Sequence, residues 1–350
     1  MENKPRSPQL GWLVFAILAF VFASCASQPS ANPNALVTLR FGYFPNITHA
    51  QAVIGIADGT FQRALGDQVK IDPKIFNAGP SAIEALFAGQ LDLTYIGPNP
   101  AINGYVKSKG AALRIIAGAT SGGAVLVVRS DAGITQASDF AGKKTASPQL
   151  GNTQDVALRA WLLKQGIKLK EQGGDTSVIP IANPDILTLF RKKEIDAAWV
   201  PEPWGARLAQ EASGKIFLDE RDLWQDGKFT TALVIVSTKF LKEHPDLVKQ
   251  FLAAHVELSQ RINADPASAK QKLNREIERL TGAALPQGIL DDAWSRQLVT
   301  YDPISSSLMG SANAAFNAGF LGDTTPNLDT IYDLTLLNQV LKEQNLPAVK

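Results

Sequence analysis

From Val37 onward the chain alternates short apolar runs with longer amphipathic stretches. The runs VTLRFGY, VKIDPKIF, LDLTYIG and LRIIAG are bounded by Gly, Pro, Asn or Asp and read as strands, and the stretches between them read as helices. That rhythm predicts a mostly parallel sheet with helices on its faces. After a bridging strand, AVLVVRS at 124–130, it resumes with KKTAS, TSVIPIA, IDAAWV and KIFLD. TTALVIVST at 230–238 reads as a returning strand. From Lys239 the chain reads as helical to its end, with Leu247, Phe251, Leu252 and Val256 at helix spacing.

The two α/β units resemble each other. An ungapped shift of 104 residues lays IFNAGPSAIEALFAGQLDLTYIGPNP (75–100) over IPIANPDILTLFRKKEIDAAWVPEPW (179–204). Ala78, Pro80 and Asp92 fall on Ala182, Pro184 and Asp196, and Tyr95 falls on Trp199. Identity is low, so an internal duplication, the shared grammar of βα units and chance are the alternative readings. Each unit then has a strand, a Pro-containing turn, a helix capped by Ser81 or Asp185, a second strand and a Pro-rich turn. Asp92 and Asp196 fall where helix gives way to strand and read as turn formers.

The expected fold class is α/β with two lobes, each a mostly parallel sheet flanked by helices, and a C-terminal helical segment packing back on lobe 1. The expected segments are 1–24 (signal peptide), 25–36 (flexible tether), 37–124 (first part of lobe 1), 125–236 (lobe 2) and 237–350 (return to lobe 1). Two crossings between lobes make a hinge.

Composition narrows the partners. Thirty-four Lys plus Arg against thirty-three Asp plus Glu leave no net field to attract nucleic acid or an acidic membrane surface. At the N-terminus, Lys4 and Arg6 precede an apolar run from Leu13 to Ala23, followed by Ser24 and Cys25, the only cysteine. The run is shorter than the roughly 20 residues of a spanning helix and has the layout of an export signal. FASC resembles the bacterial lipoprotein signal, in which Cys25 is lipidated; Phe22 departs from the usual aliphatic residue. An extracytoplasmic, membrane-anchored protein is expected, and with one cysteine no internal disulfide forms.

In an open parallel sheet, ligands bind outside the carboxyl ends of the strands. Five turns fall there: YFPNITHA (43–50), NAGPS (77–81), IGPNPA (96–101), SPQLGNTQD (147–155) and WVPEPW (199–204). They are rich in Gly, Pro, Asn, Thr and Ser rather than charge. That suits a small anion held by backbone N–H groups at helix starts, with Ser81, Thr48, Asn152 and Thr153 adding donors. Taken singly, each of these residues also reads as a helix N-cap.

FGYFPNITHAQAVIG, FNAGPSAIEALFAGQLDLTYIGPNPAING, SPQLGNTQDVALR and ANPDILTLFRKKEIDAAWVPEPWGARL together resemble the extracytoplasmic solute-binding proteins of ABC importers for nitrate, sulfonates and taurine, from about residue 37 to 345. The resemblance implies two lobes closing on one small anionic ligand, and delivery to an ABC permease and through it a cytoplasmic ATPase. It places Tyr43, Pro45, Asn46, Thr48, His49, Gly79, Pro80, Ser81, Gly97, Pro98 and Asn99 of lobe 1 around the ligand. From lobe 2 it adds Gln149, Asn152, Thr153, Trp199, Glu202 and Trp204. A small organic sulfonate is the expected ligand, with nitrate, bicarbonate or a thiamine-precursor pyrimidine as alternatives.

Several of these residues have two readings. His49 is a cap or packing residue, or a ligand contact, and Trp199 fills the space between sheet and helix or faces the ligand. Glu202, between two prolines, pairs with a cationic part of the ligand or turns away to Arg207 or a hinge donor. Trp161, Trp224, His244 and His255 read as structural. The resemblance also extends to enzymes, the thiamine-pyrimidine synthases and the menaquinone-pathway dehydratases. No cysteine cluster, metal-ligand spacing or GxSxG motif is present, so neither an enzyme nor a cofactor is expected. A ligand-sensing receptor acting through a partner is a further alternative.

Overall fold

The computed structural model describes residues 36–350. The expected signal segment, Cys25 and all of the tether but Leu36 lie outside the described residues. Among those described, eleven strands are formed: β1 (Val37–Tyr43), β2 (Val69–Ile75), β3 (Leu93–Ile96), β4 (Leu113–Gly122), β5 (Ala124–Arg129), β6 (Lys144–Ser147), β7 (Ser177–Pro180), β8 (Ala197–Pro201), β9 (Gly214–Asp219), β10 (Thr230–Ser237) and β11 (Gln297–Val299). They make a six-stranded sheet of order β11-β4-β10-β3-β1-β2 and a five-stranded sheet of order β7-β6-β8-β5-β9. These are the two lobes.

Both sheets have the same inner layout. β1 is parallel to β2 and β3, and β6 is parallel to β7 and β8. The registers Phe41↔Leu93 and Gly42↔Thr94 recur, 104 residues on, as Thr145↔Ala197 and Ala146↔Ala198. The equivalent aspartates recur too. Asp92 Oδ2 accepts from Arg40 N at 2.9 Å, and Asp196 Oδ2 accepts from Lys144 N at 2.9 Å. Asp92 thus ties the start of β3 to the middle of β1, and Asp196 ties the start of β8 to the start of β6. Asp92 further holds the Arg40 side chain, with contacts of 2.7 Å to Nε and Nη2.

Each sheet is covered on both faces, so its central strands are apolar throughout rather than alternating. In β10, Ala232, Val234 and Val236 face a core with Phe41, Tyr95, Phe251 and Leu252. Leu233 and Ile235 face the opposite core, with Ile83, Ile102 and Leu308. In β5, Leu126 and Val128 pack with Phe140, Trp161 and Trp199, and Val125 and Val127 pack with Ile186, Phe190 and Leu208. His255 lies in the first lobe's core between the Tyr95 hydroxyl (2.6 Å) and the Gly118 carbonyl (2.9 Å), and His244 packs on Phe240.

The C-terminal helices cover the six-stranded sheet, but the tail is not wholly helical. Gln297–Val299 pairs antiparallel with β4 as an edge strand too short to carry a periodic signal. The helices expected to be capped by Ser81 and Asp185 start earlier, at Gly79 and Asn183, after Ala78 and Ala182. Pro80 and Pro184 occupy the first turn, where a missing N–H costs nothing, and this puts Ser81 and Asp185 inside the helices.

The lobes are joined at Gly122–Gly123 and through residues 220–229. Both glycines have left-handed φ, +75° and +80°, so the chain turns from β4 into β5 at a place where side chains are disfavoured. Since the Asp92 side chain is only 6% exposed and accepts three donors from Arg40, Asp92→Ala is expected to cost about 2 kcal/mol. Asp196→Ala, at 24% exposure, is expected to cost less than half of that. Urea unfolding of the two variants measures the difference, and equal costs would contradict the burial argument.

Candidate ligand-binding site

Parallel strands send their carboxyl ends to one edge, and here six helices start from such ends. They are Ala50–Ala57, Gly79–Phe87, Pro98–Lys107, Thr153–Lys164, Asn183–Arg191 and Trp204–Glu211. None has its first turn capped by the N-cap side chain. In the Trp204 helix the Ala206 N–H is taken by Glu202 Oε2 at 2.9 Å, and in the Ala50 helix the Ala50 N–H donates to Ile47 O; at the other four starts N–H groups and the partial positive charge are left for something else to satisfy.

A cavity of about 30 Å³ lies between the lobes at this edge. It is lined by Phe44, Asn46, Thr48, His49, Asn77, Gly97 and Thr231 from the first lobe's elements and by Asn152, Thr153, Gln154, Asn183 and Pro201 from the second's. The repeat organises this wall. Thr48 and Asn152, His49 and Thr153, and Gly97 and Pro201 are each 104 residues apart, so equivalent turns of the two units face each other. No carboxylate, lysine or arginine lines the cavity. Asn46 Oδ1, Thr153 Oγ1 and Asn183 Oδ1 are buried there without a hydrogen-bond partner. Leaving such groups unpaired costs about 1–3 kcal/mol each, and a hydrogen-bonding ligand would recover it; turning either amide presents N–H donors instead.

His49 is buried, and burial pushes its pKa down to about 3, so the ring is neutral. Its Nδ1 accepts from the Phe44 N–H at 3.2 Å, which puts the proton on Nε2, and Phe44 stacks on the ring at 4.4 Å. Asp155, in the first turn of the Thr153 helix, is turned away. It accepts from Ser147 Oγ (2.7 Å), Gly151 N (2.8 Å) and Arg159, holding the 147–151 turn in place.

Of the residues expected around the ligand, the fold brings Asn46, Thr48, His49, Gly97, Asn152 and Thr153 to this cavity. Pro45 and Trp204 line a larger groove beside it. Gly79 approaches Asn152 across the cleft, and Ser81 donates to Gln149 Oε1 at 3.2 Å. Pro80 and Pro98 sit in first helical turns, and Asn99 is spent on the Ser311 carbonyl. Tyr43 and Trp199 are placed elsewhere. Both are core residues, because their strands are covered on both faces, and Trp199 Nε1 donates to Glu220 Oε2 at 2.8 Å.

Glu202 also faces away from the cavity. Its side chain is fully buried, accepting from Ala206 N (2.9 Å) and Arg296 Nη1 (2.8 Å), while Arg207 pairs with Glu211. The Glu202–Pro203 peptide is cis. Gly123 N donates to Arg296 O and Glu202 N donates to Gly123 O, both at 2.8 Å, so the ion pair closes a ring around the hinge. Phe44, Asn77, Gln154, Asn183, Pro201 and Thr231 were not singled out from the sequence. The 104-residue shift was a usable signal for two of them, since it pairs Asn183 with Gly79 and Pro201 with Gly97.

The sequence pattern of the NMT1-like family matches residues 32–275, most of the chain. The chain belongs to that family. Among curated relatives, it is similar to the taurine-binding periplasmic protein of Escherichia coli (strain K12), with 28% identity over 239 residues, 68% of this chain and 71% of the relative. It is also similar to a putative aliphatic sulfonates-binding protein of Bacillus subtilis (strain 168), with 27% identity over 250 residues, 69% of this chain and 70% of the relative. In structure it is similar to the alkanesulfonate-binding protein SsuA from Xanthomonas axonopodis pv. citri bound to MOPS. That likeness has a TM-score of 0.69 at 20% identity and covers 83% of this chain and 96% of SsuA. It shows the two-lobed periplasmic-binding-protein fold.

Two substitutions test the geometry. A Cβ on Gly97 would lie 2.2 Å from Thr153 Oγ1 of the opposite lobe, while the Gly97 φ of −74° suits any residue. Gly97→Ala is therefore expected to leave the melting temperature of the ligand-free protein within a few degrees and to weaken ligand binding at least tenfold, read by calorimetry. Glu220 is buried, and burial pushes its carboxyl up to about 7 against the Trp199 hydrogen bond. A raised carboxyl favours the native state at low pH, and the benefit fades as pH rises from the unfolded value near 4.5 through 7. Glu220→Gln, which cannot ionise, is expected to be more stable than wild type at pH 8 by about 1–3 kcal/mol and no more stable at pH 5. Urea unfolding at both pH values checks the sign.

Proposed function

We propose that this chain is the extracytoplasmic solute-binding component of an ABC importer, taking a small organic sulfonate or related oxoanion into the interlobe cavity and delivering it to a permease and its cytoplasmic ATPase. The observation that carries the reading is the cavity itself. It is compact and free of charged side chains, ringed by uncapped helix starts, with unpaired polar atoms supplied by both lobes. A neutral wall of N–H and hydroxyl donors holds an oxoanion without a counter-charge. Because each lobe supplies only part of the donors, a bound anion favours the closed arrangement. The names of the taurine- and sulfonates-binding relatives support the sulfonate class.

On this reading the first lobe comprises 37–122 and 230–350 and the second 123–229, with the hinge at their two junctions; the expected end of lobe 2 at residue 236 moves back to 229 because β10 pairs with β3 and β4 of the first sheet. Residues 1–24 are a signal peptide and Cys25 a lipidated anchor point holding the protein outside the cytoplasmic membrane. His49 spends Nδ1 on the Phe44 N–H and keeps Nε2 as a donor, which supports reading the cavity as a binding site.

Titration of protein freed of carried-over ligand, followed by tryptophan fluorescence and calorimetry, tests the proposal. Saturable binding of an alkanesulfonate is expected, with Asn183→Ala weakening it roughly tenfold, the cost of about one charge-assisted hydrogen bond. A response to nitrate, bicarbonate or a pyrimidine but to no sulfonate would move the assignment within the class. No response to any of them would overturn it.

A further inference from the structure

Beside the polar cavity, and sharing Phe44, Asn46, Asn77 and Asn183 with it, lies a groove of about 310 Å³. The two spaces differ in chemistry. The cavity is walled by amides and hydroxyls, whereas the groove is walled mainly by Phe76, Pro203, Trp204, Ile277 and Leu285, drawn from both lobes. A ligand whose anionic head fills the cavity has one direction in which the rest of it finds apolar surface.

The groove has one carboxylate in its lining, Glu211, and that carboxylate is committed. Its Oε1 accepts from Arg207 Nε at 2.9 Å, and its Oε2 accepts from Arg191 Nη2 at 2.6 Å and from Arg207 Nη2 at 3.2 Å. Two guanidinium groups on one acid leave this end of the groove with a positive balance. Arg207 also stacks over Trp204, 4.8 Å from the ring centroid, which fixes the guanidinium against the groove wall. Glu202, beside the lining residue Pro203, is fully buried and held by Arg296 and Ala206 N, and Glu276, beside Ile277, is paired with Arg279. An ammonium entering the groove would lose water beside a positive wall and find no unpaired carboxylate among the lining residues, a penalty that an uncharged tail does not meet.

We propose that the groove selects sulfonates with an uncharged organic tail over those bearing an amine, with Trp204 and the Arg207–Glu211 pair as the specificity-determining residues. This rests on the sulfonate reading of the cavity and goes beyond it, because it separates this chain from a taurine-like preference.

The test uses the full chain freed of ligand and three probes: methanesulfonate, hexanesulfonate and ω-aminohexanesulfonate. Each methylene placed in the groove is expected to tighten binding roughly two- to fourfold, so hexanesulfonate binds on the order of fiftyfold or more tighter than methanesulfonate. The terminal amine is expected to cancel most of that gain. Arg207→Gln, which frees Glu211 Oε1, is expected to raise the affinity for the amine probe relative to hexanesulfonate by roughly fivefold. Failure of all three probes to bind overturns the sulfonate reading and this inference with it. Binding of methanesulfonate with no gain from the tail, or equal binding of hexanesulfonate and its amine, overturns the groove's selectivity and leaves the sulfonate reading standing. An unchanged ratio in Arg207→Gln removes the ion pair from the specificity set.

Discussion

The arrangement depends on two strands that leave one lobe and complete the sheet of the other. β5 arrives from β4 of the first lobe and pairs antiparallel with β8 and β9; β10 arrives from β9 of the second and pairs antiparallel with β3 and β4. An antiparallel partner must enter where its neighbour ends. The registers Ala124↔Pro201 and Leu233↔Ile96 therefore bring both crossings to the carboxyl ends of β8 and β3. Those are the ends from which helices start around the cavity, so hinge and binding edge are built from the same few residues. Thr231 shows this directly: it lines the cavity while its hydroxyl donates to the Gly122 carbonyl at 2.5 Å.

Uncapped helix ends and buried polar atoms without partners are unfavourable in a protein that has finished folding. Here helix starts and three such atoms, Asn46 Oδ1, Thr153 Oγ1 and Asn183 Oδ1, meet at one place at the junction of the two lobes, as a site for a hydrogen-bonding guest requires. Two carboxylates near this edge are instead buried, turned away from the cavity and paired. Asp155 holds its own turn through Ser147, Gly151 and Arg159, and Glu202 holds the hinge through Arg296 and Ala206. Removing net charge from the wall lets neutral donors act on an anion at short range in a desolvated space.

The buried pair of Glu202 and Arg296 joins the second lobe's strand-end turn to the segment leading into β11 of the first. A lone carboxylate there would be strongly disfavoured, and burial does push the Glu202 pKa up, opposed by the Ala206 N–H and by Arg296. Together with the backbone bonds through Gly123, the pair couples the hinge to the turn it adjoins.

Local chemistry was enough for much of this. Alternating apolar runs and helical stretches, bounded by Gly, Pro and Asn, specify two βα units because period and turn preference are properties of neighbouring residues. The 104-residue shift located equivalent turns, Thr48, Asn152 and Thr153 were legible as polar donors at strand ends, and the family resemblance added Asn46, His49 and Gly97. Other matters were decided only when distant segments met. Trp199 and Tyr43 became core because their strands are covered on both faces. Glu202 became a hinge residue because Arg296, 94 residues away in sequence, reaches it. Asn77 and Asn183 joined the cavity, and the groove beside it drew its apolar wall from Phe76, Ile277 and Leu285 of one lobe and Pro203 and Trp204 of the other. Side-chain direction and charge partnership depend on what packs opposite, and no local pattern in this sequence carries that information.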